Sequence, residues 1–212
     1  MKVTETPKNG KKNHIFRYVL VFLFLTVAIV AVVILCVDKK HKDDYDNLIQ
    51  AYYDEQELAT DTDSGTNVYV YDYYSATSSG VDSILRVPSL KITMPVCKGN
   101  FKRDIELYRI SVYDEEMTLG KTTYAIMGHH AIAFNSAMGW LKDIKLGDVV
   151  VLEKNNQFLR YVVSDIDVGY AKDMWYLFSV ENKDVVYLAT CDYSLGHTNR
   201  IVYKAVKCTP EM

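Results

Sequence analysis

The chain has 212 residues and a net charge of −3, a size that suits one ordinary domain with extensions. With that charge and no basic stripe interleaved with aromatics, nothing points to a nucleic-acid partner. The four cysteines, at 36, 97, 191 and 208, form no Cys-x-x-Cys pair and no cysteine–histidine cluster at zinc spacing. The composition therefore favours isolated thiols over a metal finger or a disulfide framework.

Residues 1–17 are polar and carry Lys2, Lys8, Lys11, Lys12 and Arg17. Tyr18 to Val37 is then an uncharged run of 20 residues, long enough to cross a bilayer of about 30 Å as a helix. Asp38-Lys39-Lys40-His41-Lys42 follows it where a signal peptide would show small cleavage-site residues, which favours an uncleaved anchor. Five basic residues precede the span and three follow it closely. The positive-inside rule thus makes 1–17 a cytoplasmic tail, 18–37 the membrane span and the remainder extracellular.

Residues 38–80 read as a stalk and linker. Within them, Lys42 to Ala59 has helical spacing, with Tyr45, Leu48, Ile49, Tyr52 and Tyr53 near i, i+3, i+4. That helix is either a brace against the following domain or a solvated stalk, and both readings stay open. The Asp61–Asn67 and Ser75–Gly80 stretches have linker chemistry, and Val68–Tyr74 between them reads as an edge strand or an ordered arm.

The compact domain is placed at 81–212. Ile84–Val87 and Leu90–Val96 are short strands punctuated by Pro88 and Pro95. Asp104–Ile110 reads as a helical turn and Thr122–Met127 as a strand halted by Gly128-His129-His130. Ala131–Leu141 reads as a loop with a helical turn. Val149–Glu153 and Phe158–Val163 form a hairpin reversed at Asn155-Asn156-Gln157, and Asp173–Ser179 is a brief helix or cover. Asp184–Thr190 is a buried strand, because Val, Tyr and Thr suit a pleated surface. Seven or eight short strands with little helix point to an all-β barrel or sandwich.

The chemistry gathers at the end of that last buried strand. Cys191 closes it, and Arg200 opens the next strand nine positions later. If the two strands are antiparallel neighbours, sulfur and guanidinium meet at one rim of a sheet. Nearby positive charge favours the thiolate, which is the nucleophilic form of cysteine. Of the five histidines, His14 and His41 lie outside the domain. His129 stands just past a buried-looking strand, as Cys191 does. His130 reads as a rim residue and His197 as a loop residue within reach of substrate. Asp192 reads as structural or as a substrate contact, since a carboxylate there opposes ionisation of the neighbouring thiol. Cys97 reads as a core thiol, Cys36 as a residue of the apolar span, and Cys208 as a thiol near an exposed terminus.

Tyr187-Leu-Ala-Thr-Cys-Asp-Tyr followed by Arg200-Ile-Val resembles the sortase signature, usually Thr-Leu-x-Thr-Cys with an arginine on the next strand. Ala125-Ile-Met-Gly-His-His resembles the family's histidine segment. Val87-Pro-Ser-Leu-Lys-Ile-Thr-Met-Pro-Val resembles its opening strands. The likeness covers about residues 81–207, with Tyr187 and Met127 departing from the usual motifs without removing a reacting group.

The resemblance implies a closed eight-stranded β-barrel with short helices behind one N-terminal transmembrane helix. It implies a transpeptidase on the outer face of a Gram-positive cell membrane, needing no cofactor. Cys191 would be the nucleophile, His129 the acid and base, and Arg200 the group holding substrate and oxyanion. Thr190 and His197 would contact substrate. The partners implied are surface proteins bearing a sorting signal, and an acceptor amine on a cell-wall precursor or a pilin. The Pro-Ser-Leu and Gly-His-His context leans to class A, which takes Leu-Pro-x-Thr-Gly; Cys-Asp-Tyr and the stalk helix are also similar to class B. Calcium activates some relatives, but no acidic cluster here marks a site for it. The alternatives are a thiol hydrolase using the same site and a non-catalytic, membrane-tethered interaction domain.

Overall fold

The structure, a computed structural model, describes residues 10–61, 80–130, 137–174, 178, 182–192 and 198–208. It falls into two compact units, Met1–Lys40 and His41–Met212. Helix α1 (Gly10–Asp61) begins in the first and ends in the second. In the first unit its large apolar side chains face outward, Phe22 and Phe24 being 70% and 73% exposed. A continuous apolar surface of that kind marks a membrane or protein contact, and α1 is long and apolar enough to cross a membrane.

The second unit is built on eight strands among the described residues: β1 (Val81–Val87), β2 (Ile92–Cys97), β3 (Ile110–Val112), β4 (Tyr124–Met127), β5 (Val149–Lys154), β6 (Gln157–Tyr170), β7 (Val185–Asp192) and β8 (Asn199–Lys207). They close a barrel in the order β1-β2-β3-β4-β7-β8-β6-β5, which removes every free sheet edge. The β2–β3 and β4–β7 pairs are parallel. The barrel interior is filled by Leu85, Val96, Ile110, Ile126, Leu152 and Leu188, each essentially without exposed surface.

Local chemistry explains the turns. Asn155 and Asn156 both hold positive φ, at 51° and 58°, while Lys154 pairs with Gln157. This is the two-residue hairpin turn whose twist matches the flanking strands, and asparagine tolerates its left-handed backbone.

One element differs from the sequence reading. The segment read as a helical turn over Asp104–Ile110 divides into helix α2 (Phe101–Glu106), started by the Asn100 side chain accepting from the Arg103 N–H, and strand β3. A three-residue strand is too short to show an alternation of its own. The reading of Val68–Tyr74 as a strand or arm lies outside the described residues.

From His41 onward α1 is a brace. Tyr45 and Tyr52 are buried, and Leu48, Ile49 and Tyr53 pack with Tyr52 against Val81 and Ile84 of β1. The Tyr52 hydroxyl donates to the Glu153 carbonyl at 3.3 Å and accepts from the Asn155 N–H at 3.2 Å. Tyr53 donates to the Glu153 carboxylate at 2.9 Å, which Arg86 also pairs at 2.9 Å. These bonds satisfy polar groups along β5 that the helix would otherwise cover unpaired.

Candidate active site

Cys191 occupies the penultimate position of β7 and faces Arg200 across the antiparallel β7–β8 ladder. On the other side of β7 lies β4, running parallel in a register that sets Met127 beside Ala189. Two further bonds carry this pairing past the strand end. The Gly128 N–H donates to the Ala189 carbonyl at 3.3 Å, and the buried Thr190 hydroxyl donates to the Gly128 carbonyl at 2.8 Å. His129 follows at once, its own carbonyl accepting from the Met138 N–H at 2.8 Å.

Gly128 is required by crowding. A Cβ at this position would lie 2.9 Å from Ile110 Cγ2 and 3.0 Å from Met138 Cγ. Only a residue without a side chain lets the end of β4 sit this close to β3, and that closeness directs the chain at His129.

His129, Thr190, Cys191 and Arg200 line one cavity of about 190 Å³, and Phe101, Ile105 and Tyr113 contribute further wall to it. The first four are the strand-end residues singled out in the sequence. His197 lies outside the described residues. Cys191, His129 and Arg200 are each half-buried, so all three are open to a ligand yet partly shielded from water. Arg200 also donates from Nη1 to the Asn199 carbonyl at 3.0 Å, which braces the guanidinium against its own strand. It borders a second, smaller apolar hollow shared with Met127, Met174 and Phe178.

The wall supplied by α2 was not singled out in the sequence. Phe101 and Ile105 stand four positions apart behind the Asn100 cap, a spacing that puts both on one helical face. Tyr113 carries no such signal. It reaches the cavity because Phe101 and Phe178 pack on its ring, each with centroids at 5.6 Å.

The remaining thiols differ in environment. All four cysteines are free. Cys97 is buried at the end of β2, and desolvation pushes its thiol up to about 12, which leaves it protonated and inert.

The closed barrel thus brings a cysteine, an arginine and a histidine to one cavity. The sortase domain profile matches residues 85–208, more than half of the chain. The protein belongs to the sortase family, a family of transpeptidases.

Among similar proteins, sortase A of Bacillus anthracis is 25% identical over 118 residues, spanning 56% of this chain and 55% of that protein. The match thus covers about half the length of that relative. Several solved structures share the fold. Sortase A of Listeria monocytogenes superposes with a TM-score of 0.53 at 22% identity, covering 61% of this chain and 88% of that one. The sortase D5 transpeptidase of Clostridium perfringens gives 0.57 at 14% identity, covering 80% and 98%. Sortase C1 of Streptococcus agalactiae gives 0.56 at 19% identity, covering 84% and 99%.

Proposed function

We propose that this chain is a membrane-anchored cysteine transpeptidase. It cleaves a Leu-Pro-x-Thr-Gly-like sorting signal after the threonine and passes the acyl group to an amine on a cell-wall precursor or a pilin. The observation that carries this reading is the convergence of Cys191, Arg200 and His129 on one half-buried cavity.

The Cys191 thiolate attacks the threonine carbonyl carbon, and the carbonyl electrons move onto oxygen. Arg200 faces the sulfur across the ladder and is placed to balance that oxyanion. Collapse of the intermediate breaks the Thr–Gly bond, and His129 gives its proton to the departing amine. The acyl group is then held as a thioester on Cys191. An incoming amine loses a proton to His129, attacks the thioester, and releases the thiolate. Thr190 contributes by tying the backbone at Gly128 to β7, which fixes where the carbonyl-binding wall stands. His197 is the remaining residue proposed to contact substrate.

The apolar segment at residues 18–37 anchors the protein, with the basic residues 1–17 in the cytoplasm and the barrel outside. Its partners are surface proteins carrying the signal. The apolar wall of Phe101, Ile105 and Tyr113 suits a leucine–proline segment better than a polar one.

The test is incubation of the full chain, in detergent micelles, with Leu-Pro-x-Thr-Gly and Asn-Pro-type peptides, with and without triglycine. Mass spectrometry is expected to find a thioester on Cys191 with the first peptide type and a triglycine conjugate as product. An adduct that persists in Cys191→Ala refutes the assignment. A product distribution indifferent to triglycine makes the protein a thiol hydrolase instead.

A further inference from the structure

We propose that Tyr108 is a positioning residue for His129, held in place by the His41–Asp61 part of α1. The inference rests on reading His129 as the proton-transferring group of the reaction.

The ring of Tyr108 lies against that of His129, with centroids 5.1 Å apart and planes inclined by 44°. The same ring also meets that of His41 of α1, at 5.6 Å and 59°. The tyrosine thus touches both a histidine of the brace and the histidine of the cavity.

Its backbone is unusual for its residue type. Arg109 N–H donates to the Asp104 carbonyl at 2.9 Å and Tyr108 N–H to the Ile105 carbonyl at 3.0 Å. That pair of bonds is the Schellman ending of a helix, in which the left-handed position normally belongs to glycine. Tyr108 occupies it with φ at 58°, a conformation that a bulky side chain adopts only where its surroundings hold it there.

Here the holding groups come from α1. The Tyr45 hydroxyl donates to the Tyr108 carbonyl at 2.6 Å while accepting from the Ala137 N–H at 2.9 Å. Asp44 takes two bonds from Arg109, at 3.0 and 2.8 Å. His41, Asp44 and Tyr45 stand at i, i+3 and i+4, so one helical face grips residues 108 and 109 together.

A role in core packing accounts poorly for the side chain, which is 42% exposed. What the ring does touch is the imidazole whose placement decides proton transfer. An imidazole turns about its Cβ–Cγ bond, and an aromatic face against it narrows that rotation. Misplacement by as little as about 1 Å costs reaction rate heavily.

The test uses the full chain in detergent micelles with three variants. Tyr108→Phe keeps the ring. Tyr108→Gly removes it but suits the left-handed turn. His129→Gln identifies the His129 signal in the spectrum of histidine-labelled protein. Tyr108→Phe is expected to keep kcat within about twofold, whereas Tyr108→Gly should lower kcat about tenfold and leave KM within about twofold. Its melting temperature should stay at or above that of the unsubstituted chain, because glycine relieves the left-handed strain. The His129 ring-proton resonance should move in Tyr108→Gly, where the neighbouring ring current is lost, and stay in Tyr108→Phe.

A Tyr108→Gly chain with unchanged kcat and an unmoved His129 resonance overturns the inference. So does a fall in its melting temperature that accounts for the lost activity. If the unsubstituted chain forms no Cys191 adduct with any peptide, the transpeptidase reading fails. The His129 resonance still decides whether Tyr108 holds the imidazole.

Discussion

Arg200 stands directly opposite Cys191 in the antiparallel ladder of β7 and β8. The strands hold the two side chains in register, so the cation needs no loop movement to reach the sulfur's side of the cavity. Arg200→Ala is therefore expected to lower kcat by roughly 10²–10³, the usual loss when a preorganised oxyanion donor is removed. Arg200→Lys should recover only part of it, because a point charge lacks the planar fork of a guanidinium. Steady-state rates with a fixed peptide and amine decide this, and a lysine variant as fast as the parent would contradict the geometric role.

Gly128→Ala tests the crowding beneath His129. The added methyl would meet Ile110 Cγ2 at 2.9 Å. A destabilisation of about 1–3 kcal/mol is expected from overpacking, accompanied by a drop in kcat larger than stability explains, since His129 is the next residue. Denaturant melts and rates on the same sample separate the two effects.

Tyr45→Phe removes a hydroxyl that serves the Tyr108 carbonyl and the Ala137 N–H together. Both partners would be left without it in a largely buried place, a cost of roughly 1–3 kcal/mol. The loss should appear as a lower denaturant midpoint with an unchanged slope. A neutral result would mean that this hydroxyl contributes nothing to holding residues 108 and 137.

Alkali should unfold the protein earlier than its charge balance suggests. Burial raises the hydroxyls of Tyr52 and Tyr161 from the usual 10.0 to about 12, and the Cys97 thiol to about 12 from 9.0. Between about pH 9 and 12 the unfolded chain loses these protons while the folded chain keeps them. The unfolded state then binds fewer protons, so stability falls as pH rises through that window and is fully present below it. Unfolding midpoints measured from pH 8 to 11 should decline steadily, and a flat profile would argue against burial of these groups.

The same burial predicts selective labelling. Iodoacetamide added to the native chain at pH 8 should modify the half-buried Cys191 and leave Cys97, 1% exposed, unreacted until denaturant is present. Peptide mapping distinguishes the two sites.

Much of this architecture was open to reading along the chain, because it depends on near neighbours. An Asn-Asn pair between two β-branched runs suffices for the β5–β6 hairpin, since the turn is closed by the residues that flank it. The nine-residue separation of Cys191 and Arg200, across a loop between two strands, leaves an antiparallel neighbour pair as the economical arrangement. The tyrosines of α1 stand near one helical face, yet their spacing left that face open to a brace or a solvated stalk alike. Only the positions of Glu153, Asn155 and Ala137 in the folded barrel turn that face into a brace.

What the linear chain determined by itself is therefore local: the apolar span, the strand ends and the residue types standing on them. What tertiary structure decided is adjacency between distant segments. The parallel pairing of β4 with β7 joins Gly128 to Thr190 across 62 positions and so carries His129 to the cavity of Cys191. The contacts of Tyr108 with His41 and with His129 arise in the same way. Parallel neighbours and ring contacts of this kind leave no periodic trace, because each is made by surfaces that come together only when the barrel closes.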